Sequence, residues 1–253
     1  MSASKSLLHD TAPAEVLALG QTGILVRFGR HASDAATAAC LAFNDDVRAA
    51  AFSGVTDVVP SLTSVLVQFD PTVTTRATLG AALQPLIDAR PTNAQLPAAK
   101  RRWHIPVAFG GEHGPQLQDF AEHSGLTQAQ IIADAQATDL RVLAIGFAPG
   151  QPYLGYLPDT WQVPRQRELT PQVPAGAIVT AVRQMVLFCN ASTTGWRQIA
   201  QTGFRPFLRE RSEAFVLQQG DALRLHQVSD SEYRALIAQN NDGLGGARLE
   251  VLT

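Results

Sequence analysis

The sequence predicts an α+β protein of two domains: a small sandwich of two helices on an antiparallel sheet, then a mostly β domain built as a barrel. Three observations lead there. Over residues 1–90 the apolar periodicity runs in the order β, α, β, β, α. Residues 91–102, rich in proline and polar side chains and without either period, read as a linker. Beyond Arg141, short apolar runs are separated by glycine and proline turns, the rhythm of a barrel over residues 103–253.

The elements follow in order. Residues 16–28 are strand-like around a Gly20-Gln21-Thr22-Gly23 turn, with Ile24, Val26 and Phe28 alternating against Leu25 and Arg27. Ser33 or Asp34 caps a helix over 35–51, whose stripe is Ala39, Leu41, Ala42, Phe43 and Val47. Strands over 55–59 and 65–69 flank a turn, and 76–89 forms a second helix. In the second domain 104–109 is a strand, Gly114-Pro115 opens a helix to about His123, and Thr127 caps another through about Ala135. Apolar runs at 142–145, 178–182, 186–188 and 222–226 supply barrel strands.

Composition narrows the function. The chain has 253 residues, 45% hydrophobic and 17% charged, a globular balance with ample material for two cores. Its net charge of −2 leaves no basic field for nucleic acid or an anionic membrane. The cysteines, Cys40 and Cys189, lack the spacing of a zinc site and read as buried free thiols. Asp10, Asp45 and Asp46 lack metal spacing too, and read as solvated or capping residues. Residues 1–9 contain no signal-peptide h-region, and no apolar run reaches the ~18 residues of a membrane span, so a cytoplasmic location is expected.

The densest punctuation is Ile145-Gly-Phe-Ala-Pro-Gly-Gln-Pro-Tyr-Leu-Gly-Tyr-Leu-Pro158. Proline restricts φ and glycine permits close backbone approach, so the segment builds a loop of rigid shape. By spacing alone it fits either a buried crossover or a binding loop. The pattern Gly146-Phe147-x-Pro149-Gly150-x-Pro152-Tyr153-Leu154-Gly155-x-Leu157 resembles the signature of the allophanate hydrolase subunit 1 family, also described as the B-type subunit of 5-oxoprolinase, or KipI. Val173-Pro174-Ala175-Gly176, Gly195-Trp196 and Gln219-Gly220-Asp221-x-Leu223 resemble later motifs of that family, and the resemblance covers residues 16–228. It implies a ferredoxin-like N-terminal domain and a cyclophilin-like β-barrel C-terminal domain. It further implies a C-type subunit (a KipA-like homologue) as partner, ATP with Mg as cofactor without tight binding by this chain alone, and a small-molecule substrate.

The sequence departs from the family pattern where charge is expected. A His-Ser pair is replaced by Ala135-Gln136, and the arginine of a Pro-Arg-Thr motif ahead of Val-Pro-Ala-Gly is replaced by Thr170. Arg165 keeps the first Pro-Arg of the pattern, Gln184 the polar position of a barrel strand, and Arg167 lies near enough in sequence to replace the lost charge. His113 reads as a surface histidine at a helix entrance and Glu112 as a charge near a helix N-terminus. Tyr153 and Trp196 read as core or interface anchors or as ligand contacts. The candidate substrate-binding set is Arg165 and Gln184, with Phe147, Pro149, Gly150 and Tyr153 shaping the wall; none is a proton-transfer group, and no catalytic residue is named. The resemblance thus points to a subunit of a two-component ATP-dependent 5-oxoprolinase or allophanate hydrolase-like amidohydrolase. Its alternatives are a catalytically silent paralogue, a histidine-kinase inhibitor acting by protein binding, and a urea carboxylase-type carboxyltransferase component.

Overall fold

A computed structural model describes residues 13–90 and 95–252. The readings of residues 1–9 and Asp10, and of part of the expected linker, lie outside the described residues. The chain divides between Pro97 and Ala98 into two compact units.

In the first unit, strands β1 (Glu15–Leu19) and β2 (Gly23–Arg27) form an antiparallel hairpin, so the run read over 16–28 is two strands about its turn. Helix α1 (Asp34–Ala50) follows, capped by Ser33 rather than Asp34: the Ser33 hydroxyl accepts from the Ala36 N–H. Then come β3 (Val55–Pro60), β4 (Ser64–Phe69) and α2 (Arg76–Asp88). The antiparallel sheet has the order β1-β2-β4-β3. Strand alternation sends Ile24, Val26, Val65 and Val67 to one face, where Cys40, Phe43 and Val47 of α1 and Leu79 and Leu83 of α2 bury them. Burial drives the Cys40 thiol up to about 12, so it is inert.

The second unit begins with β5 (Arg101–Phe109), whose first two residues fall in the segment read as linker. Helices α3 (Leu117–Ser124) and α4 (Gln128–Ala137) follow, the latter opened by a capping box between Thr127 and Gln130. Next are β6 (Leu140–Ile145), β7 (Pro152–Gly155), β8 (Thr170–Val173), β9 (Ala177–Ala181), β10 (Gln184–Leu187), β11 (Ser192–Thr194), β12 (Arg197–Gln201) and β13 (Ala222–Gln227). Helix α5 (Asp230–Ala238) and strand β14 (Arg248–Val251) complete the unit; neither was read from the sequence.

Seven strands close into a barrel in the order β12-β9-β10-β7-β6-β13-β5, with β5 pairing back to β12. Closure leaves β14 as an extra strand on β5, while β8 and β11 form a separate two-stranded sheet. All seven barrel strands contribute to one apolar cluster, which is therefore the barrel interior: Ile105, Val142, Leu154, Ile178, Met185, Ile199 and Leu225 are all 1% exposed or less. Phe120, Ile131 and Ala135 from α3 and α4 join that cluster. The alternate residues of β9 and β10, among them Val179, Ala181 and Val186, lie on the outer face, packed with Val173 of β8 and with Trp196.

Candidate functional site

The signature segment forms the β6–β7 turn and all of β7. The Gly146 N–H donates to the Gln151 carbonyl at 3.0 Å and the Gln151 N–H to the Ala148 carbonyl at 3.1 Å, closing a tight loop. Phe147 has φ 71°, a left-handed conformation uncommon for a bulky residue, and is 76% exposed. Pro149 is exposed as well, so both stand at the loop tip and not in a wall. Gly150 is buried with φ 72°, and a Cβ there would lie 2.7 Å from the Phe207 Cβ. Only glycine fits that approach. The same holds for Gly176 of the second motif, with φ 86° and the Thr202 carbonyl oxygen 2.2 Å from the place of a Cβ.

Tyr153, Arg165 and Trp196 come together although they are distant in sequence. The Tyr153 ring meets the indole edge-on at a centroid distance of 6.5 Å, and the exposed Arg165 guanidinium lies 5.2 Å above it. Gln184 is 7% exposed and lies on the outer barrel face with Val186 and Phe188, its alternation partners. Its side-chain Nε2 has no hydrogen-bond partner. Gln151, 1% exposed, likewise leaves Oε1 unpaired. Gln151 was not singled out in the sequence, where it is merely an unspecified position of the signature.

Beside Trp196 lies a neutral polar network that the sequence did not announce. Gln116 Nε2 donates to Gln166 Oε1 at 3.0 Å and to the Thr170 hydroxyl at 2.9 Å, while Gln116 Oε1 accepts from the Gln198 backbone N–H at 2.6 Å. Gln166 Nε2 donates to Thr170 Oγ1 at 3.3 Å and to the Trp196 carbonyl at 3.2 Å. Arg197 is bound by Asp119 and donates to the Pro164 carbonyl. The place where the resemblance expects a phosphate-binding arginine is thus filled by a hydroxyl that already accepts from two amides. A triphosphate needs converging cationic donors there. At this position the neutral Gln116–Gln166–Thr170 network offers no converging cations to a phosphate. Ala135 is fully buried among apolar side chains in the barrel core, so its position offers no proton-transfer site in this chain.

His113 is not a surface residue, as the sequence suggested: its side chain is 12% exposed because α5 packs over it. Nε2 sits 2.9 Å from Asp230 Oδ1 and the ring lies 4.5 Å from Tyr233. Glu112, His113 and Asp230 offer ligand atoms within 4.8 Å of one another. Arg234 contacts both carboxylates, at 2.8 Å from Glu112 and 3.0 Å from Asp230, and supplies the positive charge a metal would otherwise bring. The hydrogen bond from His113 holds the Asp230 carboxyl below its ordinary range.

A ferredoxin-like α+β unit joined to a closed barrel with a glycine- and proline-shaped loop on its wall defines the class: a carboxyltransferase-type barrel protein. The family Carboxyltransferase domain, subdomain C and D, matches residues 14–217, and the chain belongs to this family, which includes the B-type subunits of 5-oxoprolinase. The chain is 24% identical over 245 residues to the B-type subunit of 5-oxoprolinase from Bacillus subtilis (strain 168), covering 91% of this chain and 100% of the relative. The crystal structure of TTHA0988 is similar at a TM-score of 0.69 with 28% identity, over 82% of this chain and 40% of that one. The urea carboxylase of Kluyveromyces lactis shares the fold at a TM-score of 0.74 with 15% identity, over 96% of this chain and 24% of that one. This chain therefore spans less than half the length of either solved neighbour.

Proposed function

We propose that this chain is the B-type subunit of a two-component, ATP-dependent 5-oxoprolinase, that it works with a KipA-like homologue in the cytoplasm, and that it contributes binding and orientation. The observation that carries this reading is the match along the whole length of a protein named as the B-type subunit of 5-oxoprolinase. The site's chemistry supports the division of labour. Opening a lactam with ATP requires proton transfer and stabilisation of phosphoryl charge. The Tyr153, Arg165 and Trp196 group provides a cation and aromatic surface, suited to holding a small planar anion. In this reading ATP and Mg are bound by groups that the partner brings. Among the described residues no helix is long and apolar enough to cross a membrane.

Co-expression with the KipA-like homologue is the test. The two chains should co-purify, and the complex should hydrolyse ATP only when 5-oxoproline is present, whereas this chain alone should show no turnover. Failure to associate sinks the subunit assignment. A second reading, a carboxyltransferase component of the urea carboxylase type, is favoured by the family description and the shared barrel. Carboxyl transfer from carboxybiotin by the complex, without 5-oxoproline-dependent ATP hydrolysis, would replace the first reading with the second.

A further inference from the structure

The four-stranded sheet of the first unit has α1 and α2 on one face, over Ile24, Val26, Val58, Val65 and Val67. Register assigns what the other face carries. Leu17 pairs with Leu25, Leu25 with Leu66 and Leu66 with Val59, so one outward residue from each strand falls in a single apolar row. At about 4.8 Å per strand the row is roughly 14 Å long. A Cβ on Gly23, which shares this side of β2 with Leu25, would lie 3.0 Å from Leu66 Cδ1, so Leu66 leans outward across it. Leu17 and Val59, at the ends of the row, are 38% and 42% exposed, and Leu19 is 48% exposed. An antiparallel sheet with one solvated face ordinarily turns polar side chains outward. A lone exposed leucine calls for no explanation, but a row across every strand does.

The apolar row is flanked by rows of opposite charge. On one side Glu15, Arg27 and Ser64 are in register, and Arg30 joins Arg27 on the Glu15 carboxylate. Two guanidinium groups on one carboxylate leave that flank positive. On the other side Leu19, Gly23, Gln68 and Asp57 are in register, and the exposed Asp57 makes that flank negative. A two-fold axis lying in the face along the apolar row lays that row on its own copy. The same axis lays the positive flank of one copy on the negative flank of the other. The face is therefore complementary to itself, the condition for an isologous pair. An axis along the strands would set like charges together, so the charges also select the orientation.

We propose that this open face is where two copies of the chain pair, sheet against sheet, with Leu25 and Leu66 of one copy on Leu25 and Leu66 of the second. Sheets packed in this way lie about 10 Å apart with their strands crossing near −30°. Four strands of five residues span roughly 19 by 17 Å, about 320 Å² from each copy. A standard interface takes about 800 Å² from each partner, so the pairing is weak and concentration-dependent, with a midpoint on the order of 100 μM. An unrelated partner would have to present the positive, apolar, negative pattern in reverse order, which a second copy of this chain does by symmetry. The inference is independent of the proposed enzymatic role.

The test is sedimentation of the full chain from about 5 to about 500 μM, a range that brackets the expected midpoint. The wild-type chain should pass from monomer to dimer. Leu17→Asp and Val59→Asp, at exposed positions that the fold tolerates, should each raise the midpoint about tenfold or more with the thermal midpoint unchanged. Asp57→Lys should raise it by a smaller factor, because it removes the charge match and leaves the apolar row. Leu25→Cys, which lies on the two-fold axis, should give a disulfide-linked dimer under a mild oxidant. The wild-type thiols, Cys40 buried and Cys189 half-buried, should not. A wild-type chain that stays monomeric throughout the range overturns the proposal without any variant having to fold. Association that neither Leu17→Asp nor Val59→Asp weakens overturns it as well. If those two variants instead abolish binding of the KipA-like homologue while the chain alone stays monomeric, the face belongs to that partner, and pairing of two copies is rejected while the subunit reading stands.

Discussion

The two faces of strands β7, β9 and β10 have the same backbone and different chemistry. Inward, Leu154, Ile178, Met185 and Leu187 are apolar and 1% exposed or less. Outward, the same strands are mixed: buried Val179, Ala181 and Val186 pack with Trp196 beside Tyr153, Gly155 and the Gln184 amide, with the Arg165 guanidinium above the indole. The inner face gains its free energy from close packing, which tolerates no unsatisfied polar group. The outer face, covered by β8 and Trp196, admits the Gln184 amide and the Arg165 cation beside its apolar packing.

Breaking the inner face should give the largest effect. Leu154→Ala leaves a cavity in the barrel core and should destabilise the protein by about 2–5 kcal/mol in urea or thermal unfolding. Ala135→His, the change that restores the family residue, should behave as an inner-face lesion. It forces an imidazole into a fully buried apolar position, and a loss of about 1–3 kcal/mol is expected with no gain in activity. Increased 5-oxoproline-dependent turnover in that variant would show that α4 can open its buried face to a ligand. Gln184→Met sharpens the comparison in the other direction: stability should stay level or rise by about 1 kcal/mol, since an unpaired amide is replaced by an apolar group of similar length. A loss of more than that would mean that the Gln184 amide is satisfied in solution.

The smallest effect belongs to a third part of the barrel surface, where polar groups are paired. His104 bridges His226 and Glu250 at 2.8 Å each, Arg102 also contacts Glu250, and Arg102 and Arg224 share Asp139. Burial, with the charges of His104, Arg224 and Arg248, holds His226 below its ordinary 6.5, and hydrogen bonds from His104 and Arg102 hold Glu250 below 4.5. Both groups bind protons more weakly in the folded state, so their contributions are present above those ordinary values and are lost as pH falls through the folded ones. The thermal midpoint should decline modestly from about pH 7.5 to about 5.5, and His226→Asn should flatten that slope. An unchanged slope would remove His226 as its source.

Much of this was legible in the sequence because it depends on short-range pattern. Alternation over Ile24 and Val26, the helical stripe with Phe43 and Val47, and the caps at Ser33 and Thr127 are set by neighbours within a few residues. The family resemblance pointed to Tyr153, Arg165 and Gln184, and tertiary packing placed Tyr153 and Arg165 against one indole. Helix α5 and β14 went unread: α5 buries only Tyr233 of its own residues, and β14 is a short edge strand with an exposed pattern.

By itself the sequence determined the α+β order, the barrel's strand rhythm and the family, because each is written in local periodicity and in the spacing of glycine and proline. Only the tertiary structure decided which polar residues matter. It turned Phe147 and Pro149 out to solvent, brought His113 under α5, sank Ala135 into the core, and tied the Thr170 hydroxyl to two glutamine amides. Whether a glutamine is satisfied or left unpaired depends on partners tens of residues away across a closed barrel, and no local pattern encodes that distance.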